Sequence, residues 1–168
     1  MPATRSYLRH RLGWAGLLVV AATVCGCGSE EFEDRTARVT VDGRTTTYEL
    51  DSCGLDGTTL FLVGRSTGGS VVQAVVGLED DAETGVPAST GLTVGDAGSE
   101  LAGFGAESWE RRGEQGRAPG RITRAALRGS RIQVEGRVEA VDAQGVPPVI
   151  AGAAVDVALD ARCDEPSD

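Results

Sequence analysis

From residue 38 onward the apolar side chains of this chain fall on every second position, and that period of two is its strongest structural constraint. Alternate residues of an extended strand point to opposite faces, so such a segment buries one face and wets the other. The stretch GSRIQVEGRVEAVD puts Ile132, Val134, Val138 and Ala140 on one side, with Arg131, Gln133, Glu135, Arg137 and Glu139 on the other. VDVALDARC repeats the pattern with Val155, Val157, Leu159, Ala161 and Cys163. Val72, Ala74, Val76 and Leu78 share a face in SVVQAVVGLED, as do Val39 and Val41 in ARVTVDG, and Tyr48 and Leu50 in the β-branched RTTTYEL. TTLFLVG is apolar on both faces and reads as a central strand, and TGLTVG as a short one. Turn signals at Asp42-Gly43, GLDG, DDAETG and GVPP separate these runs. About 7–9 short strands joined this way predict an all-β domain, an antiparallel sandwich or half-open barrel. Residues 98–121 resist the pattern: Leu101, Phe104 and Trp109 fit a strand or a helical turn, and a polar loop follows.

The amino-terminal region has a different logic. Arg5, Arg9 and Arg11 stand without a balancing acid before GWAGLLVVAATV. That uncharged run of about a dozen residues would span roughly 18 Å as a helix, against a hydrocarbon core about 30 Å thick. A positive segment, a short apolar run and small residues describe a cleaved secretory signal peptide. Val24-Cys25-Gly26-Cys27 then resembles a bacterial lipobox, with Gly26 in the small site before the cut. Ala22-Thr23-Val24-Cys25 fits worse, because branched Val24 would occupy that site. The resemblance implies cleavage before Cys27, a diacylglyceryl thioether on Cys27 and an acylated, palmitate-type amino terminus. Two or three acyl chains hold a protein stably on a bilayer where one does not. A metal or redox role for the CGC pair would place it inside a leader. The expected organisation is a lipoprotein signal peptide over 1–26, the lipidated cysteine and an acidic tether over 27–37, a β-domain over 38–164, and a tail over 165–168.

Cysteine parity bears on the domain. With Cys25 discarded and Cys27 lipidated, Cys53 and Cys163 remain of the four, and in an exported protein an even remainder predicts a disulfide. A catalytic thiol would need a base to lower its pKa, and the only histidine, His10, lies in the leader. The leader also takes three arginines, leaving 13 against 25 acidic residues and a net charge of −12. That balance argues against nucleic acid and anionic lipid headgroups as partners.

Three motifs invite chemistry. Gly64-Arg65-Ser66-Thr67-Gly68 matches Gly-x-Ser-x-Gly, but that motif needs a strand-to-helix turn and a basic partner for the serine. Residues 27–168 contain neither histidine nor lysine, so a Gly-rich hairpin is the better reading and no catalytic residue is assigned. Glu79, Asp80, Asp81 and Glu83 crowd one loop without the spacing of a calcium loop, and no metal or cofactor is expected. Arg111, Arg112, Arg117 and Arg121 form a candidate loop for phosphate or sulfate groups of an envelope lipid or glycan. The alternative is a solvated loop with Glu110 and Glu114 as internal partners.

The lipobox, the RVTVDG opening, the ELDSCGLDGTTLFLVG block, the SRIQVEGRVEAVD strand and the closing VDVALDARC together resemble the actinobacterial lipoprotein antigen family of LpqH. The likeness covers most of residues 38–163. It departs in its acidic tether and in the Arg/Gly loop at 110–121. It implies a surface-exposed, antigenic lipoprotein on the extracytoplasmic face of the cell membrane, non-enzymatic, with a binding or structural role. The alternative class is a carrier that holds a lipid or glycolipid in the β-domain.

Overall fold

The structure, a computed structural model, describes residues 35–163 apart from 97–98, 114–115, 143 and 149–151. The described residues form β1 (Thr36–Val41), β2 (Arg44–Asp56), β3 (Thr59–Arg65), β4 (Val71–Leu78), β5 (Gly85–Asp96), β6 (Ser99–Phe104), α1 (Ala106–Arg111), β7 (Arg121–Arg128), β8 (Arg131–Val141) and β9 (Val155–Arg162). Every pairing is antiparallel, in the order β6-β5-β4-β3-β2-β1-β9-β8, and β6 returns to β8 through Glu100↔Val141 to Ala102↔Glu139. The expected all-β antiparallel fold is thus present, and the sheet closes into an eight-stranded barrel with one extra strand. Closure removes the sheet edges that an open arrangement would leave unpaired.

The seam is built by sharing one edge of β8. Residues Arg131–Arg137 pair with β7, and Glu139–Val141 pair with β6. The extra strand, β7, meets the start of β5 on its other side through the Thr84↔Ala126 bridge. A bulge between Ile122 and Arg124 resets the alternation inside β7. That is why RITRAALR, which carries no clean period of two, is nonetheless a strand.

Inside the barrel the alternating residues meet. Leu62, Leu92, Ile132, Leu159, Val39, Val72, Val76, Val134 and Val138 are all under 2% exposed and belong to one continuous core. Eight strands give an interior just wide enough for side chains to fill. Asp42 and Gly43, with φ of 47° and 75°, make the tight β1–β2 turn whose two central residues both need positive φ.

Several sequence expectations shift. Strand β1 begins at Thr36, and Ala37 is fully buried, so the last two residues assigned to the tether belong to the barrel. TGLTVG is the end of a twelve-residue strand, β5. Within 98–121 the chain forms β6 and then α1, so both alternatives for that stretch occur in succession. Glu139, expected to face solvent, is only 7% exposed, whereas Ala140 is exposed at the mouth of the barrel. The parity is as expected, but the outer wall here is covered. A second cluster of Ala102, Phe104, Trp109 and Val141 packs outside the barrel beneath α1. Gly91 and Gly105 permit it, since a Cβ on Gly91 would strike the Phe104 ring and one on Gly105 the carbonyls of Pro87 and Ala88.

Candidate functional site

The strand directions bring five features to one end of the barrel. They are the start of β1, the β2–β3 turn at Gly57, the loop 79–84, the β7–β8 turn at Gly129-Ser130, and Cys163. At this end β1 gives out: Thr36 pairs with Glu49 and with Arg162, and below it β2 continues paired with β3 on its other side. Arg35 fastens the incoming chain, its carbonyl accepting from Leu50 N–H at 2.8 Å and its guanidinium donating to the Leu50 carbonyl at 2.9 Å. A bulge between Leu50 and Ser52 then redirects β2, and Cys53 falls opposite Leu62 on the core side.

Cys53 and Cys163 face each other across the gap that β1 leaves. Their Cα atoms are 5.9 Å apart, within the separation a disulfide needs. Cys163 N–H donates to the Ser130 carbonyl at 2.9 Å, tying the β7–β8 turn to the same spot. Beside the pair opens a largely apolar groove of about 450 Å³, walled by Cys53, Leu55, Leu60, Leu127, Ser130 and Cys163. A groove of about 460 Å³ lies at the opposite mouth, where Val41, Tyr48, Leu101 and Val155 meet Asp42 and Arg44. Cys25 and Cys27 lie outside the described residues.

The four arginines singled out in the sequence do not converge. Arg111 lies 3.3 Å from Glu107 one helical turn back. The Arg112 guanidinium stands 5.0 Å over the Phe104 ring. Arg117 reaches down to Glu139, and Arg121 begins β7 opposite Arg137. Among the described residues the internal partners are thus Glu107, Glu139 and a ring; Glu110 is not among them, and Glu114 lies outside the described residues. Trp109 is 3% exposed, with its ring centroid 5.4 Å from that of Phe104, so it is a packing residue.

Sequence reasoning did not find the Arg117–Glu139 pair. Arg117 Nη1 donates to Glu139 Oε1 at 2.9 Å, and Nη2 lies 2.8 Å from Oε2. The Arg117 hydrogen bond holds the Glu139 carboxyl below its ordinary value of 4.5 against the upward push of burial, with help from Gly120 N–H and the Arg137 charge. A lowered folded-state pKa contributes stability in full above the unfolded value, and that stability is lost as pH falls through the folded one. Glu139→Gln is therefore expected to flatten the acid limb of a stability–pH profile below about pH 4.5. Urea unfolding at stepped pH checks this, and parallel limbs for the two proteins would contradict it.

The remaining candidate motifs are turns. Ser66 sits in the β3–β4 hairpin, where its hydroxyl accepts from Ser70 N–H at 3.0 Å, not in a strand-to-helix elbow. Asp81 Oδ1 accepts from the N–H groups of Glu83 and Thr84 at 2.9 and 2.8 Å, and Oδ2 from the Thr84 hydroxyl at 2.6 Å. Those bonds, the Thr84 hydroxyl first, hold the Asp81 carboxyl below its usual range. Among the described residues no group of three or more His, Cys, Asp or Glu side chains is placed to hold a metal ion. No helix among them is long and apolar enough to cross a membrane. A scan against protein-family models and a search of curated proteins returned no match.

Proposed function

We propose that this chain is a cell-envelope lipoprotein, anchored on the extracytoplasmic face of the membrane through acylated Cys27, whose barrel is a non-enzymatic binding or structural surface like that of the LpqH-type antigens. The observation that carries the reading is Val24-Cys25-Gly26-Cys27, placed after an arginine-flanked apolar run and eight residues before Arg35, the first described residue. The absence of histidine and lysine from residues 27–168 supports the non-enzymatic part, because acyl-transfer nucleophiles need a proton acceptor beside them. The carrier reading has less behind it. Leu62, Leu92, Ile132 and Leu159 fill the barrel interior.

Cys27→Ala is expected to abolish membrane retention or leave the leader uncleaved, while Cys25→Ala changes little. Cell fractionation with immunoblotting reads both variants, and the reverse pattern would overturn the lipobox assignment. Native mass spectrometry of the protein from its own membrane is expected to show the anchor and no further lipid. A retained lipid or glycolipid mass would move the reading to the carrier.

A further inference from the structure

Strand register sets three arginines side by side at the end of the barrel where the chain arrives from Cys27. Arg128 on β7 stands opposite Arg131 on β8, and Arg131 stands opposite Arg162 on β9. All three point outward, since the adjoining Leu127, Ile132 and Ala161 pack on the core. Like charges directly opposite one another weaken a sheet, and here two such pairs adjoin in a chain of net charge −9. Asp160 takes up Arg131, whose Nε donates to Oδ1 at 2.8 Å, and Arg162 is engaged as well. Arg128 is exposed and has no ion pair or hydrogen bond from its guanidinium among the described residues.

The apolar groove opens next to this row, with Leu55 on its wall 51% exposed. A phospholipid surface offers what such a rim can use. Its phosphates accept paired N–H bonds from guanidinium, and the boundary below its headgroups takes an apolar side chain. Reach permits the contact, because the eight residues from Cys27 to Arg35 extend at most about 28 Å. The acidic loop bearing Glu79 to Glu83 lies across the other edge of β7, where Leu127 N–H meets the Glu83 carbonyl at 3.1 Å. Leaning toward β8 and β9 would bring the arginines down and keep that loop clear.

We propose that this end of the barrel docks on an anionic phospholipid surface, with the Arg128–Arg131–Arg162 row on lipid phosphates and the opposite mouth directed away. The inference rests on the anchor reading given above. The test is hydrogen exchange, read by mass spectrometry, on the acylated protein reconstituted in phosphatidylcholine vesicles or in mixed phosphatidylcholine–phosphatidylglycerol vesicles. Exchange at the 128–131 turn and at Leu55 is expected to slow about fivefold or more with phosphatidylglycerol alone, and to recover in high salt. Arg128→Gln should lose most of that protection. Arg124→Gln, which removes a partner of Glu135 higher on the same wall, should keep it.

Equal exchange in the two vesicle types would overturn the proposal. Protection in both would assign the row to the chain's own acidic tether, Glu30, Glu31, Glu33 and Asp34. Protection by inorganic phosphate in phosphatidylcholine alone would make it a phosphate site, and would overturn surface docking too. Should the protein carry no acyl group on Cys27, its mass alone refutes the anchor. The same exchange is then read with vesicles added in solution, and the docking stands or falls on the same comparison.

Discussion

Replacing both half-cystines, as Cys53→Ala with Cys163→Ala, is expected to lower folding stability by about 2–5 kcal/mol. The two residues are 110 apart in sequence, so a bond between them closes nearly the whole domain into one loop. In the chain-entropy view a long loop removes the most freedom from the unfolded ensemble. The site adds a native-state reason. Among the described residues, no strand separates β2 from β9 at this end beyond the Thr36 pairings, and the cysteines join the two there. Urea unfolding of the variant beside the oxidised wild type reads the difference as a lower midpoint. Non-reducing peptide mapping should give the Cys53–Cys163 cross-linked peptide. Coincident unfolding curves, or free thiols at both positions in freshly isolated protein, would contradict the account.

Leu92→Ala is expected to cost about 2–5 kcal/mol, toward the upper part of that range. Leu92 is fully buried on β5, between Ala74 of β4 and Gly103 of β6 in the register. Neither of those small neighbours can move a side chain into the space, so the cavity stays open. Phe61→Ala removes a larger side chain for less, about 1 kcal/mol or under. Phe61 lies on the outer wall, 42% exposed, opposite Val75 and over Gly54. Thermal or urea unfolding of the pair separates interior from surface. Equal losses would mean that the interior is not the main source of stability.

The parts of the fold that the sequence discloses are those where alternation runs unbroken. Ile132 and Val134, or Val157, Leu159 and Ala161, show their faces because the barrel interior alone decides which side is dry. The pattern fails where a second layer covers the outside. Glu139 alternates as a solvent residue, yet the segment from Arg117 to Gly120 covers it, and nothing in local spacing announces that cover. It fails again at bulges. Ile122 and Ala125 are both buried three positions apart, because the bulge between Ile122 and Arg124 shifts the phase of β7. The choice between a half-open and a closed sheet rests on Glu100 meeting Val141, a long-range pairing with no local signature.

The same distinction governs the candidate site. Cys53 and Cys163 were legible from counting, since parity needs no geometry. The loop arginines were legible as a cluster in sequence and are dispersed in space, because Arg111, Arg112 and Arg117 each lie near a different acceptor or ring and Arg121 starts β7. The row of Arg128, Arg131 and Arg162 is the converse case, spread over 34 positions and aligned only by register. Arg128 and Arg131 flank a Gly-Ser turn, and that spacing was the one local hint available.

The anchor at Cys27 is the claim on which the functional reading turns, and the amino-terminal peptide of the membrane-extracted protein tests it most directly. Tandem mass spectrometry is predicted to find a chain that begins at Cys27, with diacylglycerol on Sγ and an acyl group on the α-amino nitrogen. A peptide that begins at Met1, at Cys25 or beyond Cys27, or one that begins at Cys27 without lipid, would contradict it.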